Sequence, residues 1–287
     1  MRFKPSPTIV ALVSLLACLV LPGRADELAE KGRDIFKKNQ HAVITVQIVL
    51  KTKFSVTGLG GQANESKQDL TGTVVDPSGL TVLALSACEP GDMLQNMMSG
   101  LGGEDAKFKM DTELSDLKLL LDDGTELPAE VVLRDKDLDL AFVRPKTKPA
   151  SPMTALDLSK SATAQVLDQV ITLNRLGKAA GRAYAASVER ISAVVQKPRL
   201  FYVPGGEMTS TAVGSPAFSL DGNILGIFVM RSVSTKGGGF GMFSFRPEGL
   251  TTIILPAGDV LKAAKQAPEA KGDTGKKEEL KKSKEEK

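Results

Sequence analysis

Thr211–Ile227 reads TAVGSPAFSLDGNILGI, and the interpretation of the whole chain turns on it. Gly214-Ser215-Pro216 marks a tight turn, followed by a short strand. Asp221-Gly222 between apolar runs predicts a two-residue hairpin turn with positive φ, and Ile224–Ile227 is apolar enough for a buried strand. The stretch is therefore a β-hairpin.

On both sides of this stretch the same alternation of short apolar runs and turn residues recurs. Upstream, Ala164–Leu173 ends in a strand, VLDQVITL. Downstream, Ile253–Ala263 (IILPAGDVLKA) is a strand breaking at Pro256 into a closing helix. The Gly237–Gly241 loop invites a phosphate-loop reading, but no Gly-Lys-Ser/Thr follows it and its context is β. Arg144–Pro152 (RPKTKPASP) is a Pro-rich connection between two subdomains. Before it, Ala42–Leu50 (AVITVQIVL) is β-branched and apolar, Gly58–Gln68 is predicted as a loop, and Leu70–Val75 and Leu80–Leu85 flank the turn Asp76-Pro77-Ser78-Gly79. Leu114–Val143 holds a strand, an Asp122-Asp123-Gly124 hairpin, a second strand through Val132 and then Asp139-Leu140-Ala141. Asp26–Asn39 has helix-forming composition, with Leu28, Ile35 and Phe36 able to share a face.

These motifs, in this order, resemble the HtrA-type, trypsin-like serine protease domain from about Ile35 to about Ala263. The opening stretch is similar to G-N-S-G-G-P-L-V-N-x-x-G-x-h-h-G-h, where h is apolar. Gly72–Cys88 (GTVVDPSGLTVLALSAC) is similar to G-[ST]-G-h-h-h-[ST]-x-x-G-x-h-h-T-N-x-H-V-V, and Asp139-Leu140-Ala141 to D-[LI]-A-h-h. The resemblance implies an all-β fold of two antiparallel β-barrels packed across a cleft, with short N- and C-terminal helices. One barrel spans about residues 40–145 and the other about 155–257, within a domain covering 26–263.

The resemblance also says which chemistry is missing. It puts the catalytic Asp at Asp139, which is retained, but the His position at Ser86 and the nucleophile position at Val213. Thr211 takes the place of a Gly whose N–H, with that of Val213, would face the oxyanion. Serine protease chemistry needs a nucleophilic hydroxyl, a base in hydrogen-bond reach and oxyanion donors. The single histidine, His41, precedes the His position by 45 residues and reads as a cap or surface residue at a strand start. Without an imidazole at 86, Asp139 is expected to cap backbone N–H groups or bond a neighbouring hydroxyl. Ser215, beside Pro216, stays open as an alternative nucleophile, and Cys88 as a reactive thiol, although a lone Cys after a buried strand is usually a small core residue.

Composition narrows the function classes. The chain has 287 residues, 42% apolar and 25% charged, with no Trp and only two Tyr, which argues against carbohydrate stacking or an aromatic cage. Residues 1–25 read as a signal peptide: Arg2 and Lys4, an apolar run Thr8–Leu21, and small residues at Gly23 and Ala25. The run is too short for a comfortable membrane span. Leu15-Leu16-Ala17-Cys18 is similar to a lipobox, so a lipoprotein anchored at Cys18 stays open. Cleavage after Ala25 removes three positive charges and takes the formal net charge from +3 to 0, which excludes nucleic-acid binding by bulk charge. Cys88 is then the only thiol, so no internal disulfide is expected. No cofactor and no metal are implied. The Gly- and Met-containing stretch Glu89–Asp111 suits a flap or an adaptable contact surface. The Lys/Glu tail, 264–287, is predicted to be disordered, and the residues after Ala263 are too few for a PDZ domain.

Three functional readings follow. The first is an exported pseudoprotease, holding an extended polypeptide or a protein partner by β-augmentation. The second is an active serine endopeptidase with a non-standard site, and the third a structural envelope-associated module.

Overall fold

Asp76–Gly79, Asp122–Gly124 and Leu220–Gly222 turn the chain by one shared device. In each, a main-chain N–H three residues on closes a tight turn: Gly79 to Asp76 O, Gly124 to Leu121 O and Gly222 to Ser219 O, at 2.9, 3.1 and 2.9 Å. The closing glycine then takes positive φ, +93°, +85° and +78° respectively. The loop holds four residues at Asp76–Gly79, between the bonded Val75 and Leu80, and three at Asp122–Gly124 and Leu220–Gly222, where a two-residue turn is expected at Asp221-Gly222. Asp221 is not among the positive-φ residues, and the extra residue is taken up by a bulge between Ala217 and Phe218.

The computed structural model describes residues 27–56, 61–91, 108–206, 212–232 and 250–268. Outside them lie the expected signal peptide at 1–25, Thr211, most of the Gly- and Met-containing stretch, the Gly237–Gly241 loop and the tail from 269 onward. Helix α1, Glu27–Asn39, leads into β1, Val43–Val56. Then come β2 (Gly61–Val74), β3 (Thr81–Ala84), the single turn of helix α2 (Leu85–Cys88), β4 (Phe108–Leu120), β5 (Glu126–Asp135) and β6 (Leu140–Pro145). The second half contributes β7 (Gln169–Arg175), β8 (Tyr184–Val195), β9 (Phe201–Pro204), β10 (Pro216–Ser219), β11 (Ile224–Ser232), β12 (Leu250–Pro256) and helix α3 (Ala257–Ala264).

The strands close into two antiparallel barrels, β1-β2-β3-β6-β5-β4 and β10-β11-β12-β9-β8-β7. Each has six strands, and the second repeats the neighbour relations of the first. The all-β, two-barrel expectation holds. One local expectation does not: residues 61–68, read as loop, pair with β1 from Ser55↔Gly61 to Ile48↔Gln68. The segment GQANESKQ lacks an apolar alternation because this arm projects past the barrel, with Asn64, Glu65 and Lys67 exposed. Main-chain pairing carries the strand there without a buried face.

Each barrel has its own core, one around Ile48, Leu83 and Leu119 and one around Ile191, Leu225 and Phe228. A third cluster joins them. It gathers Val82, Leu140 and Phe142 from the first barrel, Phe218, Ile227 and Leu255 from the second, Ile35 of α1 and Val260 of α3. Both helices pack on strands of the second barrel, α1 on β7 and β8 and α3 on β11 and β12.

Candidate functional site

Asp139 ends the turn between β5 and β6 with φ +56°, a conformation that Asp tolerates better than most side chains. Its main-chain carbonyl accepts the Leu85 N–H at 3.0 Å. Its carboxylate accepts three more hydrogen bonds: Oδ1 from the Ser86 N–H at 2.7 Å, and Oδ2 from the Ser86 hydroxyl at 2.9 Å and the Met230 N–H at 2.7 Å. Asp139 thereby ties α2 of the first barrel to β11 of the second. Burial pushes its carboxyl above the usual carboxylate range, only partly countered by the bonds from Ser86 and Met230.

The pair Ser86–Asp139 does not make a nucleophile. A carboxylate is too weak a base to take an alcohol's proton at neutral pH, and the Ser86 hydroxyl is the donor in the bond. Met230 was not foreseen as a partner, since a main-chain N–H leaves no mark in sequence.

The turn before β10 is buried. Val213 is 6% exposed and Ser215 0%. The Ser215 N–H donates to Ala212 O at 3.0 Å, the Gly214 N–H to Phe228 O at 2.8 Å, and the Gly214 carbonyl accepts the Thr73 hydroxyl at 2.8 Å. Gly214 has φ +92°, and a Cβ there would come within 2.1 Å of Thr71 O. This contact seats the turn on β2, so Gly214 admits no side chain. Among the described residues the Ser215 Oγ has no hydrogen-bond partner. A hydroxyl that is enclosed and has no base beside it has neither the access nor the activation of a nucleophile. Thr211 lies outside the described residues, and Val213 stands in the wall of the turn.

His41 is engaged elsewhere. Its Nδ1 lies 2.8 Å from Asp122 Oδ2 and 3.2 Å from the Tyr184 hydroxyl. The Tyr184 hydroxyl also donates to Asp122, and Arg175 pairs with Asp122 at 3.2 Å with its guanidinium 3.9 Å from the Tyr184 ring centroid. Burial raises the Asp122 carboxyl, but hydrogen bonds from Tyr184 and His41 and the Arg175 charge outweigh it and hold the group below the usual range. Nearby, Arg182 of the β7–β8 connection donates to Asp69 of β2 at 2.6 Å. This cluster fastens the β4–β5 turn and β2 to the β7–β8 hairpin. It was not legible in sequence, because the partners are up to 143 residues apart.

Cys88 is buried and unpaired. Burial, then the Glu89 charge, pushes its thiol up to about 12, so at neutral pH it is no thiolate nucleophile. Among the described residues no group of three or more His, Cys, Asp or Glu side chains could hold a metal, and no helix is long and apolar enough to cross a membrane.

A pocket of ≈ 300 Å³ opens in front of Asp139. Leu138 and Asp139, Phe201 of β9 and Met230 of β11 line it, and Lys136, Arg199 and Arg231 bring positive charge to it. Beyond Phe228, the β11 edge that faces away from β12 pairs with no strand among the described residues. Phe228 turns its N–H and C=O to the 214–215 turn. By strand alternation Met230 and Ser232 turn theirs to the same side.

Solved structures similar to this one include the MamO protease domain from Magnetospirillum magneticum in its apo form, at 16% identity and a TM-score of 0.47, covering 79% of this chain and 97% of that one. Another is Deg5, at 14% identity and a TM-score of 0.52, covering 83% of this chain and 94% of that one. No curated protein sequence matches. The Deg5 likeness supports the two-barrel fold. The model of the trypsin-like peptidase domain matches residues 70–227, more than half of the sequence, with strands of each barrel inside the match. The chain therefore belongs to the trypsin-like peptidase family.

Proposed function

We propose that this protein is a non-catalytic member of its family, exported from the cytoplasm, that holds an extended polypeptide in the groove between its barrels. The observation that carries the reading is the Asp139 carboxylate. In an active site of this chemistry it would orient an imidazole; here its oxygens are taken by the Ser86 hydroxyl and N–H and the Met230 N–H. Loss of triad members leaves only about a thousand- to ten-thousand-fold over water in such enzymes. The edge of β11 that no described strand covers is the place for a guest strand, whose main-chain bonds would run to the Met230 C=O and to Ser232, the Met230 N–H being held by Asp139. Export is supported by the charged-then-apolar pattern of residues 1–25.

The test is fluorescence anisotropy of the purified protein with labelled, unfolded casein, alongside a gel assay of the same casein. Binding without cleavage is expected. Turnover stopped by a fluorophosphonate would establish the endopeptidase reading instead, and indifference to every polypeptide would remove the binding reading.

A further inference from the structure

The pocket in front of Asp139 has a charge pattern that a plain peptide groove does not need. Arg231 projects from β11 with its guanidinium carbon 4.8 Å from the Phe201 ring centroid. Stacking of this kind fixes the plane of the fork while leaving its edge N–H groups for a ligand. Arg199 and Lys136 line the same pocket from the β8–β9 and β5–β6 connections. Among the described residues, neither Arg199 nor Arg231 has a carboxylate partner. The opposing charges in the lining are Asp137 and Asp139. The Asp139 carboxylate is already met by three donors, so it is a poor partner for either guanidinium.

We infer that this pocket selects an acidic side chain, Glu or Asp, on the polypeptide that pairs with β11. The inference rests on the peptide-holding reading above and adds the chemical class of its ligand. A guest strand running along Met230–Ser232 passes the Arg231–Phe201 stack, because Arg231 lies between the two residues whose main chain faces the guest. A carboxylate there accepts from Arg231 on one side and Arg199 on the other, charge-assisted bonds about twice as strong as neutral ones. A lysine at that place would meet like charge.

The experiment uses the purified protein and labelled octapeptides of Val and Thr carrying one central Glu, Gln or Lys, read by anisotropy. The Glu peptide is expected to bind about tenfold more tightly than its Gln isostere, a difference of about 1.4 kcal/mol. The Lys peptide is expected to bind more weakly than either. Arg199→Gln and Arg231→Gln should each shrink the Glu-to-Gln ratio and together bring it to about one. Lys262→Gln on α3 should leave it unchanged. Binding of the Gln peptide to each variant shows that the variant is folded. Equal binding of the three peptides, or a preference that survives both arginine substitutions, overturns the acidic selection while leaving the groove reading intact. Failure of all three peptides to bind removes both.

Discussion

At the scale of single residues, Asp139 has the most consequences. Asp139→Ala strands the Ser86 and Met230 N–H groups and puts an alanine at φ +56°, so a loss of about 2–4 kcal/mol is expected in urea denaturation. Asp139→Asn keeps one acceptor and a residue at home in the left-handed region, and should lose less. The pH dependence has a defined sign. The folded carboxyl titrates above its unfolded value of 3.8, so the folded state holds the extra proton, and stability from this group declines as pH rises from about 4 through the raised value. Asp139→Asn removes that decline. The urea midpoint of the variant relative to the wild type should therefore climb between pH 4 and 7. Ser215→Ala deletes a buried hydroxyl with no partner and should leave stability level or slightly raised. A drop above about 1 kcal/mol would mean that the hydroxyl is bonded after all. The resemblance to the family's motifs pointed to Asp139 and Ser86, which meet in the fold. It could not show Met230, which contributes only main chain, or Arg199 and Arg231, which only the folded chain brings to one pocket.

At the scale of elements, the repeated glycine turn and the 212–215 turn predict different responses to the same change. A Cβ at Gly124 meets nothing within 4 Å, so Gly124→Ala bears only the left-handed backbone term, about 1 kcal/mol. At Gly214 the same methyl would also strike Thr71 O. Gly214→Ala should therefore destabilise by more than about 3 kcal/mol, read by the denaturation midpoint. On β11, Ser232→Pro removes an N–H on the side away from β12. It should leave the barrel folded by circular dichroism and weaken casein binding about tenfold or more, since the guest strand loses a rung. The strands themselves were legible where burial imposes alternation, as in Ala42–Leu50 and Ile224–Ile227. They were illegible at Gly61–Gln68, where a hydrogen-bonded arm in solvent has no pattern to display. The Asp221-Gly222 turn was placed correctly but given one residue too few, because sequence shows the glycine and not the bulge at Ala217–Phe218 that makes room for the third.

At the scale of the molecule, the cluster that spans both barrels makes them one folding unit. Val82, Phe142, Phe218 and Ile227 are fully or nearly fully buried in it, and separating the barrels would expose them, at about 1.5–3 kcal/mol for each such side chain. One unfolding transition is expected from fluorescence and from circular dichroism alike; two separated transitions would show barrels of independent stability. The carboxyls of Asp69 and Asp122 are held below their ordinary values, so their contribution is present above about pH 4 and fades as pH falls through the depressed values. Arg182→Gln and Tyr184→Phe should blunt this acid sensitivity. The repeated pattern of short strands revealed the barrels in sequence, but how they are fastened depends on side chains up to 143 residues apart. Attachments that cross the seam include Asp139 to Met230, Thr73 to Gly214, Arg182 to Asp69, and Tyr184 and Arg175 to Asp122. They reach β11, the turn before β10 and the β7–β8 hairpin, which leaves no axis about which one half could swing. If a cargo strand is held there as proposed, it threads into a gap whose width does not change, and the radius of gyration in solution should be the same loaded as empty.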